Sequence, residues 1–197
     1  MIRPANRVAM LAFLPHGGVV AEIGVGRGAF AQQLLTQLRP ARLHLIDPWQ
    51  RAIAWPVIGL RTGADSLATV HEMFAEPIAA GIVQLHVAPS PAALDSIEPC
   101  DVIYIDGDHR YEAVAADLEA ARRSVKPGGW ICGHDYCDIF DRGVPRAVDE
   151  FCERHGLRIG MLTDEPPQPV INRSGINADL PDELAYNSFA IRVPEAA

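Results

Sequence analysis

Residues 19–30 read VVAEIGVGRGAF, and this stretch organises the rest of the chain. Val19 to Ile23 is a β-branched apolar run that reads as a strand, and glycines follow it at Gly24, Gly26 and Gly28. Phe30, Leu34, Leu35 and Leu38 then recur at helical spacing. A strand that passes through glycines into a helix starts a βαβ unit, and the alternation continues downstream. Arg42 to Ile46 is strand two and ends at Asp47-Pro48. A helix is expected over Asp65 to Glu76, with Leu67, Val70 and Phe74 inward and Pro77 as its stop. Ile82 to Val87, Val102 to Ile105 and Trp130 to Gly133 read as strands three to five. Ser90-Pro91 reads as an N-cap followed by proline at the first helical position. Tyr111, Val114, Ala115, Leu118 and Val125 mark the buried face of the helix before strand five. Pro145 opens a further helix that stops at Gly156, and Leu157 to Leu162 and Ser188 to Val193 are the last strands. The pattern predicts an α/β fold, a parallel sheet with helices on both faces.

At 197 residues the chain is expected to form a single domain. With 49% hydrophobic and 21% charged residues it has the composition of a globular protein. No apolar run approaches the roughly 20 residues that span a bilayer. The start, MIRPANRVAMLAFLPHGG, carries the short apolar patch Val8 to Leu14 without a small-x-small cleavage site. It reads as an N-terminal helix within residues 1–17 that packs on the domain, which makes the expected location cytoplasmic. A net charge of −8 argues against nucleic acid and against polybasic membrane attraction as partners. Whether the chain forms a homo-oligomer is left open. Cys100, Cys132, Cys137 and Cys152 include no C-x-x-C pair, and the group Cys132, His134, Cys137 matches no structural zinc spacing. Thr163 to Asn187 is rich in Pro, Asp and Asn and is expected to be a long lid or acceptor loop.

A carboxylate at Asp47, 21 residues after Gly26, can accept two hydrogen bonds from a ribose diol. Glycine loop and acid together indicate a nucleoside cofactor, and NAD and S-adenosylmethionine (SAM) folds share this arrangement. Gly24-x-Gly26-x-Gly28 is the methyltransferase spacing, while Gly24-x-Gly26-x-x-Ala29 also fits the looser dinucleotide form. Glu22 favours SAM, because a carboxylate before the glycines repels a pyrophosphate and suits a cationic sulfonium-amino acid end. The three glycines are expected to let backbone approach this ligand. Trp49 either lies over the cofactor or packs a loop, and Ser90 either hydrogen-bonds the adenine or serves as the N-cap.

Two strand ends carry further chemistry. DVIYIDGDH, residues 101–109, ends strand four in carboxylates and a histidine, and GHDY, residues 133–136, ends strand five. Asp106 and Asp135 are one strand-helix-strand crossover apart, so neighbouring strand ends can bring them together. Asp106, His134 and Asp135 then form an O/N/O set suited to Mg²⁺, Mn²⁺ or another divalent cation. His109 is a candidate general base beside Asp106. The alternatives are structural: Asp106 as a helix cap, Asp135 in a turn, His134 as a hydrogen-bonded core residue, His109 orienting the loop.

EIGVGRGAF, LIDPW, DVIYIDGDHRYEAVAADL, KPGGWICGHDY and GVPRAVDEF together resemble a small bacterial family of class I SAM-dependent methyltransferases. That family is related to macrocin-type sugar O-methyltransferases and more distantly to catechol O-methyltransferase, and the resemblance runs from about Val19 to Phe151. It implies a Rossmann-like seven-stranded sheet with the last strand antiparallel. It implies the SAM methionine end near Glu22 and Gly24, ribose at Asp47, and a metal at Asp106 and the His134-Asp135 pair. His134 departs from the all-oxygen site of the catechol type, and His109 falls at the register of its catalytic lysine. The resemblance also implies that the N-terminal extension of larger relatives is lacking. The acceptor pocket would then rest on Arg51 to Gly63, Tyr136 to Gly143 and Thr163 to Asn187. The implied activity is SN2 methyl transfer to a small-molecule or sugar hydroxyl. An NAD-linked oxidoreductase, which would lack a Tyr-x-x-x-Lys pair here, and a non-catalytic SAM- or nucleoside-binding module are the alternatives.

Overall fold

The computed structural model describes residues 1–49, 64–137, 143–169 and 183–195. Seven strands form one sheet in the order β3-β2-β1-β4-β5-β9-β6. They are β1 (Val19–Ile23), β2 (Arg42–Ile46), β3 (Val83–His86), β4 (Cys100–Ile105), β5 (Val125–Tyr136), β6 (Ile159–Leu162) and β9 (Asn187–Arg192). β9 runs antiparallel to both of its neighbours, β5 and β6, and the other pairings are parallel. The fold is therefore the expected Rossmann-like one, with its last strand antiparallel.

Four of five residues in β1 and in β2 are buried, as in a parallel sheet covered on both faces. One face packs against α5 (Ser90–Leu94), α6 (Tyr111–Ser124) and α7 (Gly143–His155) through Leu94, Leu118, Val148 and Phe151. The other packs against α1 (Arg7–Leu11), α2 (Ala29–Leu38), α3 (Ala64–Met73) and α4 (Ala75–Ala79) through Leu11, Leu34 and Val70. The strand order reverses between β1 and β4, so the carboxyl ends of β1, β2, β4 and β5 border one crevice.

Several boundaries differ from the sequence expectation. The helix expected over Asp65 to Glu76 breaks at Phe74, and Pro77 lies in the first turn of α4 rather than ending a helix. A continuous helix would drive the proline ring into the carbonyl four residues earlier, at Met73, whereas the first turn of a new helix needs no N–H there. The N-terminal helix is confined to Arg7–Leu11, with Asn6 Oδ1 accepting from the N–H of Ala9 at 2.9 Å. Residues before it run along β6 instead, where the N–H of Ile2 donates to the carbonyl of Gly160 at 2.8 Å. β5 begins at Val125, before Lys126-Pro-Gly-Gly, because a bulge sets Cys100 opposite Val125 and Val102 opposite Trp130. The described ends of the loop after β6 pair as a small ribbon, β7 (Gln168–Pro169) with β8 (Glu183–Leu184). Residues 50–63, 138–142 and 170–182, which hold much of the expected acceptor wall, lie outside the described residues. No helix among the described residues is long and apolar enough to cross a membrane.

Candidate active site

The glycine loop joins β1 to α2 at the switch point. Gly24 has φ +84°, and a Cβ there would overlap the carbonyl of Asp106 and the Cα of Gly107. Its lack of a side chain admits the chain leaving β4, and Gly28 likewise admits Phe74 and Val70. At Gly26, with φ +55°, nothing lies within 4 Å of the missing Cβ, so this glycine faces open space.

Asp47 holds the loop in place. Its Oδ2 accepts from the N–H of Gly26 at 3.0 Å and its Oδ1 from the N–H of Trp49 at 2.8 Å. The indole Nε1 of Trp49 donates to the carbonyl of Gly26 at 3.0 Å. Trp49 is buried and packs the loop, in a left-handed conformation at φ +42°. A carboxylate offers about four acceptor positions, so Asp47 keeps lone pairs for a further donor.

Glu22, on β1, is 1% exposed, and its Oε2 has no hydrogen-bond partner. Burial, reinforced by Asp106, pushes its carboxyl well above the usual carboxylate range, against the pull of Arg7. A cation placed beside this carboxyl would favour its ionised form, which is the chemistry an ammonium or sulfonium group could supply.

The residues expected at the ends of β4 and β5 do come together. Asp106, His134 and Asp135 each offer a ligand atom within 4.8 Å of the others. His134 Nδ1 lies 2.9 Å from Asp135 Oδ1 and 3.9 Å from Asp106 Oδ1. His109 Nε2 lies 3.1 Å from Asp135 Oδ2 and 3.5 Å from Asp106 Oδ1. Burial works against charge on both imidazoles. Even so, Asp106 with Asp135 holds His109, and Asp135 with Asp106 holds His134, above the ordinary histidine value. Burial opposes ionisation of Asp135 too, but the two rings keep it below the ordinary range. Asp106 does not cap the next helix. Arg110 is the N-cap residue of α6, and its N–H and guanidinium are held by Asp108, which turns outward. Asp135 also makes a turn, with φ +56° and the N–H of Cys137 on its carbonyl at 2.8 Å. Cys132 is buried in the sheet and is not part of this cluster.

Ser90 is not the N-cap. Pro89 takes that place, and the Ser90 hydroxyl donates to Asp117 of α6. Asp117 was visible in the sequence as a charge among Val114, Leu118 and Ala121 on an apolar helix face. Burial pushes its carboxyl up to about 6 from an ordinary 3.8, against the pull of Ser90. The folded state therefore keeps a proton that the unfolded chain has already lost between about pH 4 and 6, and stability falls as pH rises through that window. Asp117→Asn, which retains an acceptor for Ser90, is expected to remove this fall. At pH 7 it should be more stable than the wild type by up to about 3 kcal/mol, with the difference vanishing near pH 4. Urea midpoints across this range check it, and parallel curves would refute it.

Arg7 and Glu165 had no signal in the sequence. Arg7 of α1 places Nη1 3.1 Å from Asp106 Oδ2 and stacks its guanidinium over the Phe30 ring, 4.6 Å from the centroid. Its backbone N–H donates to Glu165 Oε1 at 2.9 Å, which ties α1 to the segment after β6.

Among known proteins, a family model described as a methyltransferase domain matches residues 21–136, which span the glycine loop, Asp47, Asp106 and the His134-Asp135 pair. No curated protein matches the chain by sequence. Solved structures share the fold at low identity. The N-methyltransferase NodS from Bradyrhizobium japonicum WM9 in complex with S-adenosyl-L-homocysteine is 14% identical, with a TM-score of 0.62, over 96% of this chain and 86% of that one. An rRNA methylase from Streptococcus thermophilus is 12% identical, with a TM-score of 0.61, over 99% of each chain. A precorrin-6y C5,15-methyltransferase from Geobacter metallireducens GS-15 is 19% identical, with a TM-score of 0.61, over 94% of this chain and 86% of that one. These acceptors differ among themselves, so the shared fold does not specify one, and the exclusion of nucleic acid drawn from net charge gains no support from them. With the family model matching more than half of the chain and the glycine loop set at the switch point, the chain belongs to the methyltransferase-domain family and is a class I SAM-dependent methyltransferase.

Proposed function

We propose that the chain methylates an oxygen of a small-molecule or sugar hydroxyl, assisted by a divalent cation at Asp106, His134 and Asp135. The observation that carries this reading is the convergence of three ligand atoms within 4.8 Å at the mouth of the crevice. Two carboxylates and an imidazole suit Mg²⁺, Mn²⁺ or a similar ion. Such an ion, when bound, lowers the pKa of a coordinated hydroxyl and orients its oxygen.

The chain's own residues supply the rest. His109 is the general base, taking the hydroxyl proton as the acceptor oxygen gains the methyl group from the sulfonium. Glu22 receives the cationic end of SAM, Asp47 accepts from the ribose diol, and Gly26 leaves room for the cofactor beside the loop. Ser90 stands on the adenine side, and its oxygen can still accept while it donates to Asp117. We assign the acceptor side of this single domain to the segment after β6.

The test is transfer of labelled methyl from SAM to a panel of hydroxylated small molecules and sugars, with RNA in a parallel arm. Transfer to a hydroxyl that EDTA abolishes and Mg²⁺ or Mn²⁺ restores is the expected result. Turnover undiminished by EDTA would remove the metal from the reading. Label in RNA would overturn the acceptor class, an outcome that the rRNA methylase among similar folds makes worth the arm.

A further inference from the structure

The acids at the cofactor end of the crevice face one prominent cation. Glu22 is buried with an unpartnered Oε2, and Arg7 is the positive group that acts on it. The Arg7 side chain is 33% exposed, so a ligand can reach it. It has a carboxylate partner already, Asp106 Oδ2 at 3.1 Å, and the Phe30 ring supports the plane of the guanidinium. A carboxylate receptor and an ammonium receptor thus border the same space, with complementary signs.

The amino-acid end of SAM is a zwitterion. Its ammonium suits Glu22, and its carboxylate needs a donor fork, which a planar guanidinium provides in bidentate form. We propose that Arg7 is the receptor for the α-carboxylate of the cofactor, exchanging Asp106 for the ligand when SAM binds. This rests on the SAM-dependent reading of the chain. No covalent step is involved: one ion pair is replaced by another. The exchange releases Asp106 Oδ2 from Arg7, so cofactor binding prepares the acidic cluster for the acceptor side. Phe30 keeps the guanidinium in the crevice while its partner changes. Arg7 also carries α1, so a purely structural role is the rival explanation.

Calorimetric titration with two probes separates them. S-adenosylhomocysteine carries the amino-acid end, whereas 5′-methylthioadenosine has the adenosine and thioether without it. Arg7→Met keeps an unbranched stem over Phe30 and removes the fork. It is expected to weaken S-adenosylhomocysteine about 10- to 100-fold and to leave 5′-methylthioadenosine within about twofold. Arg7→Lys, which keeps the charge without the fork, should recover part of the loss and replaces Arg7→Met if that variant fails to fold. Unchanged S-adenosylhomocysteine affinity, or an equal loss for both probes, would overturn the assignment. A wild-type protein that binds neither probe would refute the cofactor reading itself, a distinct result seen before any variant is made.

Discussion

Asp135→Asn is expected to lower methyl transfer by about 100-fold or more while S-adenosylhomocysteine affinity stays within about threefold. The side chain contacts both His134 and His109, at 2.9 and 3.1 Å, so one substitution replaces a charged proposed metal ligand by a neutral amide and removes the negative charge beside the proposed base. Asparagine is the informative replacement. Residue 135 has φ +56°, a left-handed conformation that asparagine tolerates, whereas alanine there adds about 1–2 kcal/mol of backbone cost to any catalytic effect. The dependence on added divalent cation should weaken along with turnover. Turnover near the wild-type level would sink the acidic cluster as the site of chemistry, whatever the cofactor does.

Gly24→Ala should have the largest effect on folding. The added Cβ would overlap the Asp106 carbonyl, and only separation of β1 from β4 at the centre of the sheet would relieve it. That junction is held by the N–H of Asp106 on the carbonyl of Ile23 at 2.8 Å and by the pairing of Ile23 with Ile105. The left-handed φ adds its own cost, so a loss of about 3 kcal/mol or more is expected, seen as a melting temperature lower by roughly 10 °C. Gly26→Ala is the contrast. With open space around the new methyl group, it should cost about 1–2 kcal/mol from its backbone conformation alone, yet weaken S-adenosylhomocysteine about tenfold. Thermal melts and titrations on both variants check the pair. Wild-type melting of Gly24→Ala would contradict the packing described, and wild-type affinity of Gly26→Ala would show that the open side of the loop does not face the cofactor.

The alternation of strands and helices was legible in the sequence because it is written in local periodicity. Val19 to Ile23 could be recognised without knowing its neighbours, and so could the apolar stripe of α6. The meeting of Asp106 with His134 and Asp135 was legible for a related reason. Both groups end strands joined by one crossover, and parallel strands joined in that way place their carboxyl ends side by side. The sequence by itself therefore determined the fold class and which strand ends would carry the acids. The tertiary structure decided matters that depend on single long-range contacts. Pro77 ended no helix because the chain broke earlier, ahead of the clash its ring would have made. Gly24 and Gly28 also make room for neighbouring elements, and Ser90 answered to a buried Asp117 rather than to its own helix. Arg7 enters the crevice 99 residues before its partner Asp106. No repeat or motif announces such a contact, because it exists only once the sheet has set α1 beside the end of β4.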